Sequence, residues 1–167
     1  MVNPPLYFIL SLCTPKKATQ WFVQRCRYIN STLWLETMPK SCPFCEISSQ
    51  DSQKRVWLQS DYGFSIRDGF PLTEGHTLVI PFRHDGSFFE LPLEVQTDLI
   101  TLVGRVREEL IQEFGIKDVN IGINDGPLAG QTVPHCHIHV IPRRAGDVGD
   151  PRGGVRWIFP EKADYWS

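Results

Sequence analysis

The chain has 167 residues, 41% of them hydrophobic, which is the size of one ordinary domain with enough apolar material for a single core. Its 17 lysines and arginines stand against 19 aspartates and glutamates, a formal net charge of -2 that excludes the basic surplus needed for long-range attraction to nucleic acid. Five cysteines are an odd number for a disulfide framework, and Cys42 with Cys45 makes a Cys-x-x-Cys pair that reads as metal or redox chemistry in a reducing compartment, so cytoplasm is the expected location.

Residues 1 to about 40 have a character of their own, with Pro4, Pro5 and Pro15, basic Lys16, Lys17, Arg25 and Arg27, and no sustained periodicity. The apolar run from Leu6 to Cys13 has no basic segment before it and no A-x-A-like cleavage site after it, and it falls short of the roughly 20 residues that span a bilayer. Met38 stands just before the Cys-x-x-Cys pair, so one reading takes it as the biological start and residues 1–37 as a mis-called extension. Residues 41–167 then form the working domain and its C-terminal tail.

From Cys42 onward the pattern becomes regular. Gly63 to Arg67 and His76 to Pro81 read as a hairpin across the turn-rich Asp68-Gly69-Phe70-Pro71. A long helix opens at Pro92 and runs to Phe114, with Leu99, Val103, Val106, Leu110 and Phe114 on one face, and Gly115 ends it. Val119 to Asn124 and His135 to Ile141 read as two more strands, joined through the loop that begins at Asp125-Gly126-Pro127. Strands, one long helix and further strands predict an α+β domain with an antiparallel sheet rather than repeated βαβ units.

His135, His137 and His139 fall at alternate positions of the last of these strands, so their imidazoles share one side while Cys136, Ile138 and Val140 face apolar packing. Alternate residues lie roughly 6.6 Å apart along a strand, close enough for neighbouring rings to share one phosphate group, or to be linked through a metal or water. A neutral imidazole, with an ordinary pKa of about 6.5, is a competent nucleophile at neutral pH and forms a phosphoramidate labile enough for a second, hydrolytic step. Neither a Ser-His-Asp arrangement, a Walker-type loop nor a carboxylate cluster competes for the role.

The segment Gly130-Gln131-Thr132-Val133-Pro134-His135-Cys136-His137-Ile138-His139-Val140-Ile141-Pro142-Arg143 resembles the signature of the histidine triad (HIT) family, and the likeness extends through Asn124-Asp125-Gly126-Pro127 and Gly75-His76, covering residues 42–145. The spelling around the triad is similar to the fragile histidine triad branch, which cleaves dinucleoside polyphosphates, whereas the tail from Asp150 to Trp157 resembles bacterial members. The resemblance implies His137 as nucleophile, His139 at the scissile phosphate and leaving oxygen, His135 as the third triad member, and a backbone carbonyl holding the Nδ1 proton of His137. It places Asn124, Gln131 and Thr132 at the phosphates, Asp68 on the ribose hydroxyls and His76 near the leaving group. Apart from it, Asp68 is an Asp-Gly turn residue, His76 a half-buried histidine, and the other three are loop polarity.

A closed tetrahedral zinc site needs four ligands, and the family resemblance supplies His84 and His135 beside Cys42 and Cys45; without a metal the two cysteines are a reduced buried pair. Such a zinc would be structural, orienting His137 through His135. The function implied is hydrolysis of a dinucleoside polyphosphate or related nucleotide, purine by expectation, at the α-phosphorus through a nucleotidyl-histidine. A nucleoside phosphoramidase, a nucleotidyltransferase and a non-catalytic nucleotide-binding protein are the alternatives. The expected partners are a small nucleotide and, by resemblance, a second copy in a homodimer that extends the sheet, with neither nucleic acid nor membrane; the aromatic end with Trp157, Phe159, Tyr165 and Trp166 suits a contact surface or a closed core. Mass spectrometry of the native N-terminus tests the Met38 start, and peptides from residues 1–37 would refute it.

Overall fold

Five strands pair in a single antiparallel sheet of order β1-β2-β3-β5-β4, crossed by one long helix in a computed structural model that describes residues 42–49 and 53–166. The strands are β1 (Val56–Gln59), β2 (Gly63–Arg67), β3 (Thr77–Pro81), β4 (Val119–Ile123) and β5 (Ile138–Pro142); the helices are α1 (Pro43–Ser48) and α2 (Leu93–Phe114). The expectations for residues 1–41, the Met38 start among them, fall outside the described residues. Among the described residues no helix is long and apolar enough to cross a membrane.

The α+β class and the long helix are as the sequence predicts. Pro92 caps α2 rather than occupying its first turn, and Gly115 closes it in the left-handed conformation at φ 70°, with its N–H on the carbonyl of Ile111. Neither α1 nor β1 is among the expected elements. Six residues are too few to show a helical period, although Pro43 in the first turn is a start signal, and a register shift between Val56 and Leu58 breaks the alternation of β1.

One face of the sheet takes α2, whose Leu99, Leu102, Val106 and Leu110 are fully buried against Val79, Cys136, Ile138 and Val140. Removing each of these leucines from water contributes roughly 1.5–3 kcal/mol. Gly63 sets how closely the helix lies, because a Cβ there would stand 2.5 Å from Leu99 Cδ2 and 2.9 Å from the Ile80 carbonyl oxygen. The Asp98 carboxylate pins the helix to the β1-β2 turn by accepting from Ser60 Oγ (2.6 Å) and the Tyr62 N–H (3.1 Å).

The opposite face carries Phe64, Ile66, Leu78 and Ile80, closed by α1 through Cys42, Phe44, Cys45 and Ile47. Directly opposed residues of an antiparallel pair share a face, and Leu78 pairs with His139, so His139 emerges on the α1 side.

The last strand departs from the expected run. It begins at Ile138, so His135, Cys136 and His137 precede it. Pro134 has no N–H, the His135 N–H turns back to the Val133 carbonyl (2.8 Å), and the Cys136 N–H donates to the Asp85 carbonyl (2.6 Å), so these donors serve loops instead of a strand ladder. The alternation persists all the same, with Cys136, Ile138 and Val140 in the α2 core and the three histidines away from it.

Candidate active site and metal cluster

The five histidines of the chain form two connected groups. His137 and His139 lie ring to ring with centroids 5.1 Å apart, and His139 in turn meets His76 at 5.2 Å. His135 meets His84 at 4.8 Å, and Phe44 of α1 packs edge-on against both His135 (5.7 Å) and His137 (5.2 Å). A single aromatic ring thus backs the junction between the groups. Phe44 is absent from the expected site residues because its only signal is its place between the two cysteines.

The hydrogen-bond partners assign the ring tautomers. A carbonyl only accepts, so the 2.8 Å contact from His137 Nδ1 to the His135 carbonyl puts the proton on Nδ1 and leaves a lone pair on Nε2. His135 Nε2 lies 2.9 Å from the Pro81 carbonyl by the same logic, which frees its Nδ1 lone pair toward Cys42 Sγ (3.4 Å) and Cys45 Sγ (3.6 Å). The Leu72 N–H donates to His76 Nδ1 at 3.3 Å. His76 Nε2 therefore carries the proton and donates to His139 Nδ1 at 3.0 Å, leaving the proton of His139 on Nε2, directed away from His76. The Asp68 carboxylate stands 3.4 Å from His76 Nδ1, and its other oxygen accepts the Phe70 N–H at 2.9 Å.

Burial favours the neutral form of His135, His139 and His76. It is the main cause that pushes His135 and His139 down to about 4, with neighbouring histidines adding to it in both cases. His76 is also lowered by burial, which the nearby Asp68 opposes. Burial raises the Cys45 thiol to about 12, helped by its contact with Cys42, and raises Cys136 to about 12 on the far side of the strand, where Asp125 and Asp85 add to it.

Cys42, Cys45, His84 and His135 each offer one ligand atom within 4.8 Å of the others. Two sulfurs and two nitrogens at that spacing fit a tetrahedral cation, whose charge would reverse the preference of the cysteines for the thiol form. α1 builds half of this cluster, Cys42 capping its N-terminus and Cys45 following one turn on, and His84 joins from the segment after β3 with its Nδ1 3.2 Å from Cys45 Sγ.

The remaining expected site residues lie on the loop between β4 and His135. Asn124 is half-buried, with no hydrogen bond to another described residue, and Thr132 is exposed. Gln131 has both ends of its amide engaged: Oε1 accepts the Gly126 N–H at 2.9 Å and Nε2 donates to the Gly86 carbonyl at 2.8 Å. Beside Asp68 and His76 opens a cavity of about 540 Å³, lined also by Pro71, Leu72 and Phe114. The aromatic tail leaves Trp157, Phe159 and Tyr165 largely exposed, with Arg152 over Trp166 and Arg156 over Tyr165.

Known proteins are similar to this chain in sequence and in fold. The bis(5'-nucleosyl)-tetraphosphatase (asymmetrical) of Schizosaccharomyces pombe is 44% identical over 80 residues, 48% of this chain and 44% of that protein. The adenosine 5'-monophosphoramidase of Saccharomyces cerevisiae is 31% identical over 108 residues, 65% of this chain and 66% of that protein. The chain thus spans less than two thirds of the length of either relative. A Zn-bound histidine triad family protein from Mycobacterium smegmatis superposes with a TM-score of 0.59 at 38% identity, over 64% of this chain and 78% of that one. The HIT domain model matches residues 49–146, and the chain belongs to that family.

Proposed function

We propose that this chain is a nucleotide hydrolase that cleaves dinucleoside polyphosphates or related nucleotides at the α-phosphorus. The observation that carries the reading is the 2.8 Å contact between His137 Nδ1 and the His135 carbonyl, which leaves Nε2 unprotonated on a buried ring beside His139. In the first step the Nε2 lone pair forms a bond to the α-phosphorus while the bond from phosphorus to the leaving oxygen breaks. The charge that develops on the leaving oxygen is met by the Nε2–H of His139, whose other nitrogen faces His76. Water then attacks the phosphorus and gives up a proton to solvent, the N–P bond breaks, and a nucleoside monophosphate departs as His137 regains its lone pair.

Asn124, Thr132 and the backbone amides around them supply donors to the phosphate oxygens, and Asp68 receives the ribose hydroxyls at the mouth of the neighbouring cavity. Cys42, Cys45, His84 and His135 would hold a zinc ion, which contributes rigidity by locking the ring of the residue whose carbonyl aims His137. The phosphoramidase reading uses the same residues with an amine as leaving group, and the name of the Saccharomyces relative favours it as the alternative.

On diadenosine tetraphosphate, the purified protein releases AMP and His137→Ala lowers turnover by about ten-thousandfold. Turnover of adenosine phosphoramidate alone moves the assignment to the phosphoramidase reading. Treatment with a chelator removes one zinc per chain and lowers the melting temperature, and a protein whose melting ignores metal removal has no structural zinc. Acid stability reads the charge state of the rings. His139 is pushed from 6.5 to about 4, so the unfolded chain takes up this proton at a higher pH than the folded one. The stability from keeping it neutral is complete above pH 6.5 and is lost as pH falls toward 4. The urea midpoint of the wild type therefore falls more steeply between pH 7 and about 4.5 than that of His139→Asn, and equal slopes contradict this account.

A further inference from the structure

His76 decides which nitrogen of His139 carries the proton, so whatever fixes His76 acts on the leaving oxygen at one remove. One side chain, Arg67 of β2, bonds the residue on either side of it. Nη1 donates to the Gly75 carbonyl at 3.0 Å and to Thr77 Oγ1 at 2.9 Å, and Thr77 Oγ1 donates in turn to the Gly75 carbonyl at 2.8 Å. The next residue along β2 completes the frame, the Asp68 N–H donating to the His76 carbonyl at 2.9 Å.

Gly75 leads into His76 at φ 88°, in the left-handed region, and a Cβ on it would stand 3.0 Å from both Leu110 Cδ2 and Phe114 Cε2. Glycine has many other conformations open to it, so the direction in which the chain enters His76 depends on that packing and on the bonds to the Gly75 carbonyl. Arg67 is braced in its own right. Its Cζ lies 3.7 Å from the centroid of the Trp57 ring and 5.6 Å from that of Phe114, and Nη2 donates to the Glu113 carboxylate in the last turn of α2. A planar fork held on an aromatic face and by a charge-assisted bond keeps β1, the end of α2 and the start of β3 at fixed spacing. Lysine would keep the charge without the fork, and methionine only the stem. The bonds of Arg67 run to the His76 side of the site, whereas His137 is oriented through His135.

We propose that Arg67 is a positioning residue for the reaction: it fixes the entry of the chain into His76, and through the bond between His76 and His139 it keeps the Nε2–H of His139 aimed at the leaving oxygen. The proposal rests on the assignment of His139 to that oxygen.

The experiment is a double-mutant cycle on the full chain, with diadenosine tetraphosphate as substrate and Arg67→Met and His139→Asn as the two changes. Arg67→Met keeps the metal content of the wild type, and its kcat falls about tenfold while KM changes by less than about threefold. In the His139→Asn background the same substitution lowers kcat by less than about twofold, because the residue it acts through is gone. A tenfold fall in both backgrounds marks a purely structural role and overturns the proposal, as does an unchanged kcat in Arg67→Met. Nitrogen-15 NMR of the imidazole rings supplies the second measurement. At about pH 7.5, above the ordinary imidazole pKa, His76 and His139 of the wild type each carry the proton on Nε2, and in Arg67→Met the Nδ1–H form of His139 appears beside it. A wild type with His139 protonated on Nδ1 overturns the proposal without any variant having to fold. His139→Asn with the kcat of the wild type refutes the assignment of His139 itself, and the inference falls with it.

Discussion

The hydrogen bond from His137 Nδ1 to the His135 carbonyl joins the two halves of this site. Its acceptor belongs to a residue whose ring is fixed independently, with Nε2 on the Pro81 carbonyl and Nδ1 facing two cysteine sulfurs. Its donor, with the proton on Nδ1, leaves a lone pair on Nε2 of His137. Take away that bond and His137 is free to adopt the other tautomer, in which Nε2 carries the proton and offers no lone pair. Much of the surrounding architecture serves this contact: α1 supplies Cys42, Cys45 and the backing ring of Phe44, β3 ends at the carbonyl that holds His135, and β5 starts where the triad's last histidine must lie beside His76.

A second chain of bonds runs at the other end of the triad. The N–H of Leu72 fixes His76, His76 fixes His139, and the result is a proton on the His139 nitrogen that does not face His76. Burial holds both rings neutral, so donor and acceptor roles are set by geometry rather than by charge. The rings of His137 and His139 are thus oriented by separate networks, one reaching back to the Cys-His cluster and one to the loop between β2 and β3.

The long helix, the hairpin and the alternation about the triad were legible because each repeats a period over many residues or carries Gly and Pro at its ends. The four cluster residues were legible as a set through family resemblance, and their approach within 4.8 Å is a property of the fold. α1 and β1 were not legible, the first being a single turn and a half and the second broken by a register shift. Asp85, Ser87 and Asp125 escaped notice for another reason. Their contacts use a backbone carbonyl, a hydroxyl and a carboxylate, each bonded to a distant stretch (Asp85 O to the Cys136 N–H, Ser87 Oγ to the Asp125 carboxylate), which leaves no periodic trace, although Ser87 followed three residues later by Glu90 is a capping pattern and Ser87 does accept the Phe89 N–H. The direction in which the Gln131 amide points was equally out of reach, since a polar loop residue reads the same whether it faces a ligand or a neighbouring carbonyl.

The alternation from His135 to Val140 also limits how this stretch of sequence can drift. Every second residue faces the sulfur cluster or the neighbouring imidazoles, and the ones between are buried under α2, with Cys136, Ile138 and Val140 at most 1% exposed. Substitutions act one position at a time and leave the frame intact. A one-residue deletion here would invert all of it, sending imidazoles into hydrocarbon and turning a thiol and aliphatic side chains toward the ligand atoms. Length is therefore more tightly constrained than identity between Pro134 and Val140, whereas the exposed turn that follows, at Ala145 and Gly146, faces no such parity and has room to gain or lose residues.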